Sequence, residues 1–405
     1  MKWSRSTLGE IAANDRGLVQ TGPFGSSLHQ SDYSDEGIPV IMPTNISDGR
    51  VSQDGIARIP EHTANRLERH KLKPRTIVLP RRGEITKRAF IRDDQEGWLC
   101  GSGCLKIETH DTDVVPEFLY YYMAQHDVCQ WLEQHAVGST MLNLSAGIVN
   151  DMPVHYPLRE QQERIAETLT AYDDLMENNR RRMALLEESA RLLYREWYVH
   201  LRFPGHEHTR RINGVPQGWE RKTLHDICTD IRESVSPEEL ETDTPYIGLE
   251  HIPRRSISLT DWGVAADVTS SKNRFVAGDI LFGKIRPYFH KVGIAFTDGV
   301  ASSDAIVIRP HEERLLALTL MTVSSDDFVA EASQSAREGS KMPRADWKLM
   351  LKYPVFVPPR ALLNSFNESV TDVTAQLKNL CFQTQKLRTA RDLLLPRLMS
   401  GEIEV

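Results

Sequence analysis

Several short stretches carry residue types that do chemistry in other proteins. Gly278-Asp279-Ile280-Leu281-Phe282-Gly283-Lys284-Ile285 matches most of a phosphate-binding loop. In such a loop backbone N–H groups cradle phosphates, and a Ser or Thr after the lysine holds Mg2+. Here that position is Ile285, and the centre of the stretch is apolar and strand-like, so the phosphate reading fails. Asp346-Trp347-Lys348 has the carboxylate-x-lysine ending of a nuclease motif, but no convincing strand-borne Asp precedes it. His206-Glu207-His208 has metal donors, yet it follows a helix breaker and has no third ligand nearby, so it reads as exposed loop. Val357-Pro358-Pro359-Arg360 holds the only Pro-Pro pair, and it opens a helix. It is not the Asn/Asp-Pro-Pro-aromatic loop that an adenine methyltransferase needs beside a glycine-rich cofactor turn. Neither a nucleophile elbow nor an H-E-x-x-H motif occurs. The five cysteines, Cys100, Cys104, Cys129, Cys228 and Cys381, lack zinc-ligand spacing and read as reduced, mostly buried small residues. The chain is expected to be no enzyme and to bind no metal and no cofactor itself.

The remaining polar signal is basic. Arg66, Arg69, Lys71, Lys73, Arg75, Arg81, Arg82, Lys87, Arg88 and Arg92 crowd one stretch, opposed only by Glu68 and Glu84. A second stretch carries Lys272, Arg274, Lys284, Arg286 and Lys291 against Asp279, followed by Arg337, Lys341, Arg344 and Lys348. Such residues neutralise phosphates and release counterions, and arginine also pairs with guanine edges. The net charge of −7, from 49 Lys+Arg and 56 Asp+Glu, argues the other way when averaged over the chain. DNA needs only a local basic face, however. The acidic excess lies largely on two helical segments and near 233–243. The residues expected to contact DNA are Lys71, Lys73, Arg81, Arg82, Lys87 and Arg88, with Lys272, Arg274, Lys284, Arg286, Lys291, Lys341 and Arg344.

The elements that position these residues repeat. Trp3-x-x-x-Thr7-Leu8-x-x-Ile11 is answered by Trp219-x-x-x-Thr223-Leu224-x-x-Ile227, and Pro39-Val40-Ile41 by Pro245-Tyr246-Ile247. At an offset of 201, Gly138-Ser139-x-Met141 matches Gly339-Ser340-x-Met342, and Pro153-Val154 matches Pro354-Val355. A diverged duplication is the reading. Expected strands are Pro39 to Met42, Thr76 to Leu79, Lys87 to Ile91 and Cys104 to Ile107. Their counterparts are Tyr246 to Leu249, Asp279 to Phe282, Val292 to Phe296 and Ala305 to Ile308. Helices are expected near 116–135 and 311–331.

Each copy closes with a heptad seam. Ile165, Leu169, Tyr172, Met176, Asn179, Met183, Leu186, Ala190, Leu193 and Trp197 alternate in steps of 4 and 3. So do Phe366, Val370, Val373, Leu377, Leu380, Thr384, Leu387, Arg391, Leu394 and Leu398. That is an a/d coiled-coil stripe. Internal two-fold symmetry predicts antiparallel partners, with the polar pair Asn179 and Thr384 level. Pro396 is expected to end or kink the second helix. The fold class is therefore α+β: two similar mixed domains, 1–158 and 204–358, separated by two long helices, 159–203 and 359–405.

With 405 residues, 40% hydrophobic and 26% charged, the composition is that of a globular protein. No apolar run approaches a membrane span, and Met1-Lys2-Trp3-Ser4-Arg5 lacks a signal-peptide core. The expected location is the cytoplasm.

These residues resemble the specificity subunit of a Type I restriction-modification system over essentially the whole length. The carriers in the first copy are Thr21-Gly22-Pro23-Phe24-Gly25-Ser26-Ser27-Leu28, Gly37-Ile38-Pro39-Val40-Ile41 and Val78-Leu79-Pro80-Arg81-Arg82-Gly83-Glu84. Gln161-Gln162-Glu163-Arg164-Ile165-Ala166, Gly278 through Tyr288, and Leu393-Leu394-Leu395-Pro396-Arg397-Leu398-Met399-Ser400-Gly401-Glu402-Ile403 complete the set. The second copy has no clear counterpart of the Gly22–Ser27 loop. The resemblance implies that each half is a target recognition domain for one part of a split double-stranded DNA site, and that the helices set the gap. It implies docking of two modification subunits, which bind S-adenosylmethionine, and of restriction subunits, which use ATP and Mg2+. The alternatives are a DNA methyltransferase or nuclease with its own recognition domain, and a coiled-coil scaffold without a DNA role.

Overall fold

Apolar runs of four or five residues bounded by turn formers build the sheets. In the computed structural model, which describes residues 3–47, 49–110, 113–138, 140–336 and 342–404, all eight expected strands are present. They are Ile38–Ile41, Ile77–Pro80, Ala89–Phe90, Cys104–Glu108, Pro245–Ile247, Ile280–Gly283, Val292–Ala295 and Ala305–Pro310. The stretch that resembled a phosphate loop is the strand Ile280–Gly283, with all four residues buried. The two expected helices each split, into Pro116–Tyr122 with His126–His135 and into Leu316–Val323 with Asp326–Gln334. In the second pair Ser325 makes the break, because its hydroxyl accepts from the Phe328 N–H and caps a new helix.

The chain forms two compact units, one of Met1–Leu175 with Leu387–Val405 and one of Met176–Lys386. In the first, Leu18–Thr21, Cys104–Glu108, Ile77–Pro80 and Ala89–Phe90 make a four-stranded antiparallel sheet in that order. A second sheet is centred on Ile38–Ile41, antiparallel to Ala57–Ile59 and parallel to Leu99–Cys100. Ser4–Thr7 pairs antiparallel with Pro153–Tyr156, so the first and last strands of the domain lie side by side.

The second unit repeats this plan. Cys228–Ile231, Ala305–Pro310, Ile280–Gly283 and Val292–Ala295 run in the same order. Pro245–Ile247 is antiparallel to Gly263–Val264 and parallel to Gly299–Ala301. Glu220–Thr223 pairs with Pro354–Val357. The duplication read from the sequence is thus a duplication of strand order and direction.

Two long helices, Arg159–Tyr194 and Arg360–Met399, carry the seams. None of the twenty seam residues is exposed. Within the first unit Ile165, Ala166 and Leu169 share one core with Leu398 and Met399. Asp173 meets Arg391 at 2.5 Å. Within the second, Asn179 Nδ2 donates to Thr384 Oγ1 at 3.3 Å, and the Trp197 and Phe366 rings lie 5.7 Å apart. As numbers rise on one helix the partners fall on the other, so the pairing is antiparallel. Of the two outcomes expected at Pro396, an end or a kink, the end does not occur: the helix continues to Met399. Proline in a helix interior costs about 3 kcal/mol, but this one stands in the last turn, and burial of Leu398 and Met399 just beyond it holds the helical path.

Candidate nucleic-acid interface

The loop that follows the central buried strand is built alike in both units. In the first, Ile77–Pro80 runs into Arg81, Arg82 and Gly83. The Arg81 N–H donates to the Gly103 carbonyl at 2.8 Å, the Leu144 N–H donates to the Arg81 carbonyl at 2.8 Å, and the Gly83 N–H donates to the Leu142 carbonyl at 3.3 Å. In the second, Ile280–Gly283 runs into Lys284, Ile285 and Arg286. Lys284 N–H donates to Asp304 O at 2.9 Å, Ala345 N–H to Lys284 O at 2.9 Å, and Arg286 N–H to Pro343 O at 2.8 Å. In each unit the same three bonds, at equivalent positions, hold the basic loop: one to the turn before the next strand of the sheet, and two to the segment just after Met141 or Met342. Backbone bonds of this kind fix a loop that side chains alone would leave mobile.

Gly83 has φ +80° and its counterpart Arg286 has φ +48°. The left-handed region suits glycine and costs other L-residues about 1–2 kcal/mol. An arginine held there is backbone strain retained at a site, which points to use of its side chain.

Side chains of the first basic stretch divide into tethered and presented. Lys71 bonds Asn65 Oδ1 and pairs with Glu68, both at 2.8 Å. Lys73 reaches Glu108 at 3.7 Å and stays largely exposed. Lys87 pairs with Glu84 at 2.6 Å. The Arg88 guanidinium donates to the Tyr120 carbonyl at 3.0 Å and lies 5.2 Å from the Tyr120 ring. Arg82 is exposed, with its backbone bridged to Asn143. Arg81 lies 5.8 Å from the exposed Phe24 ring, and its Nε is a buried donor without an acceptor. Asn143 Oδ1 across the bridge is a buried acceptor without a donor.

In the second stretch Lys272 and Arg274 stand on the strand Lys272–Phe275, not in a loop. Lys272 is buried, and its ammonium donates to Ser270 O and Oγ, both at 2.8 Å. Arg274 faces out, 3.9 Å from Glu233. Lys291 donates to the Leu249 carbonyl, and burial lowers its pKa from the usual lysine range. Lys284 donates to Ser303 O at 2.6 Å, Arg344 pairs loosely with Asp304 at 3.4 Å, and Arg286 lies 6.0 Å from the Phe289 ring. Lys341 lies outside the described residues. Sequence reading missed Arg254, which stacks 4.2 Å from the same Phe289 ring.

Behind the first basic face a buried network sets the loop. Lys106 and Glu108 pair at 2.5 Å, and Lys106 also donates to the Lys71 carbonyl at 3.0 Å. Beside them His70 is held neutral: burial, with help from Arg69 and Lys106, lowers its pKa to about 4.

The other chemical candidates resolve into structure. Asp346 caps the short helix Trp347–Met350, accepting from the Leu349 N–H at 3.3 Å. His206-Glu207-His208 is a single 3-10 turn, with His206 Nδ1 2.9 Å from Phe203 O. Four of the five free cysteines are buried. Among the described residues no group of three or more His, Cys, Asp or Glu is placed to hold a metal, and no helix is long and apolar enough to cross a membrane.

The likeness to known proteins agrees with this geometry. Residues 2–188 match the family model described as Type I restriction modification DNA specificity domain. The Type I restriction enzyme MjaIX specificity subunit of Methanocaldococcus jannaschii is 24% identical, over 72% of this chain and 70% of its own length. The HindI specificity subunit of Haemophilus influenzae is 18% identical, over 78% of this chain and 83% of its own. The crystal structure of the Type-I restriction-modification system S subunit from M. genitalium superposes with a TM-score of 0.57 at 15% identity, covering 98% of this chain and 96% of that one. That structure shares the fold over nearly the whole length. With two basic loops built alike on one duplicated plan and a match of residues 2–188 to the DNA specificity domain, the chain is similar to Type I restriction-modification specificity subunits along most of its length.

Proposed function

We propose that the chain reads DNA sequence for a Type I restriction-modification complex. Residues 1–158 and 204–358 act as target recognition domains, each for one half of a bipartite double-stranded site. The helical segments 159–203 and 359–405 set the gap and dock two modification subunits. Restriction subunits join through these. The chain itself catalyses nothing: S-adenosylmethionine, ATP and Mg2+ belong to the partner subunits. The complex works in the cytoplasm.

One observation carries this reading: the same basic loop, tied by the same three backbone bonds, occurs once in each half. Arg81 Nε and Asn143 Oδ1 without partners support it, since buried polar atoms are normally satisfied. The assignment of contacts rests on Arg81, Arg82, Lys73, Lys284, Arg286, Arg344 and Arg274. Lys71, Lys87, Arg88, Lys272 and Lys291 are tethered within their own domains and serve mainly to shape the face.

The test is co-expression with a modification subunit from the same genome, followed by genome-wide mapping of methyladenine. A two-part motif is expected, and exchange of residues 1–158 for those of a relative should alter one part only. Changes in both parts would contradict independent reading. Tight S-adenosylmethionine binding by the purified chain alone would favour a methyltransferase instead.

A further inference from the structure

Each basic loop has an exposed methionine beside it. Met141 is 61% exposed and Met342 is 53% exposed. They occupy equivalent positions, and their immediate neighbours Leu142 and Pro343 accept the N–H bonds of Gly83 and Arg286. In the first unit the methionine's loop is closed by a two-way bond between Val137 and Asn143, at 3.0 and 2.9 Å. Gly138 at its start has φ +119°, and a Cβ there would collide with the Met141 carbonyl oxygen. The two ends of this loop are therefore held by backbone bonds.

Single exposed apolar side chains are common on protein surfaces, so one marks a contact site only through what surrounds it. Here the surrounding groups say what that contact is. The residues just after Met141 are bonded to the loop of Arg81 and Arg82, with the exposed Phe24 ring 5.8 Å from Arg81, and those just after Met342 to the loop of Lys284 and Arg286, with Arg344 bridged to Ile285. A protein partner would meet an apolar patch with few net charges at its core. A cationic loop with an apolar tip fits a polyanion that has an apolar interior, which describes stacked base pairs between phosphates. Proteins that distort duplexes insert such apolar wedges between base steps while basic residues hold the backbone. A base that is to be modified must also leave the stack, which costs the stacking of its step.

We propose that Met141 and Met342 are wedges, each inserting into a base step of duplex DNA in the half-site read by its own domain. The inference rests on the DNA-reading function proposed above. Phosphate contacts from the neighbouring basic loop position each wedge, and the methionine side chain replaces the stacking that the opened step gives up. Methionine suits the task, because an unbranched, polarizable chain adapts to an irregular gap.

The experiment uses the complex with its modification subunits and duplexes carrying 2-aminopurine in turn at each purine of the mapped site. The wild-type complex should raise fluorescence several-fold at one step in each half. Met141→Ala should abolish the rise in one half only, Met342→Ala in the other half only, and Met141→Leu should keep it. Both alanine variants should keep the wild-type melting temperature, since the tips are exposed. A wild-type complex that binds its site but gives no rise, or an alanine variant with an unchanged rise in both halves, overturns the wedge and leaves sequence reading standing. A wild-type complex that prefers its site no more than a scrambled duplex overturns the sequence-reading function, and the wedge with it.

Discussion

Asp173→Ala asks how far the helix pairing in the first unit depends on one ionic contact. Asp173 meets Arg391 at 2.5 Å and accepts the Tyr121 hydroxyl at 2.8 Å, so it ties both long helices to the domain. The two charged side chains are 18% and 23% exposed. Removing one member of a fully buried pair costs about 3–5 kcal/mol, because the other charge is stranded. Here Arg391 keeps Asp392 at 2.8 Å and some contact with water, which brings the loss down to about 2 kcal/mol. For a unit of roughly 200 residues that lowers the unfolding midpoint by about 4–8 °C. Calorimetry on Asp173→Ala, Arg391→Met and the double variant gives the coupling. The double variant should cost little more than either single change, with a coupling of about 1–2 kcal/mol. Additive losses would show that the fold does not use this ion pair, and a midpoint unchanged in Asp173→Ala would refute the reasoning outright.

Other expectations follow from the same structure. Arg81→Ala with Arg82→Ala should weaken binding to all duplexes and reduce the salt slope by about 1 for each phosphate no longer neutralised; salt-titrated affinities check this, and an unchanged slope sinks the assignment. Arg286→Gly relieves a left-handed arginine, so the thermal midpoint should not fall while affinity for the second half-site drops; a lower midpoint with intact binding reverses the claim. His70 has its folded pKa depressed to about 4 from an ordinary 6.5, so its contribution is complete above pH 6.5 and is lost as pH falls towards 4. The loss reaches up to about 3 kcal/mol, and urea midpoints of the wild type should slope through that window more than those of His70→Gln. Inserting four residues after the first seam adds about 6 Å of helix, so the methylated motif should gain one or two base pairs in its gap; an unchanged gap with full activity denies the helices that role.

The seams were legible because heptad spacing repeats one fact many times over. Even the Asn179–Thr384 pair follows from counting, since two helices of matched seam length paired antiparallel leave only one partner for each position. An end to the helix at Pro396 was expected because a local rule about backbone N–H groups does not know that Leu398 and Met399 are buried just beyond it. The duplicated strands were legible as apolar runs. Those with mixed composition, such as Leu18–Thr21 and Lys272–Phe275, were not. The interface was half visible. Charge can be counted in a sequence, but its satisfaction cannot: the Lys291 ammonium is occupied inside its own domain, where a carbonyl 42 residues earlier in the chain accepts from it. The Gly-Ser-x-Met repeat was evident at its offset of 201, yet nothing local says that the residues after its methionine bond to the basic loop, because backbone hydrogen bonds across more than 50 residues make that link.

The two-stranded ribbons Ser4–Thr7 with Pro153–Tyr156 and Glu220–Thr223 with Pro354–Val357 have a consequence for inheritance. Each brings the entry and exit of a recognition domain together, immediately before a long helix begins. A segment whose ends leave side by side is a cassette: it can be cut out and another spliced in without shifting the helix on which it hangs. Recombination between related genes therefore meets little mechanical resistance at these points, and crossovers at the two ends of such a segment replace it while the helix that follows keeps its place.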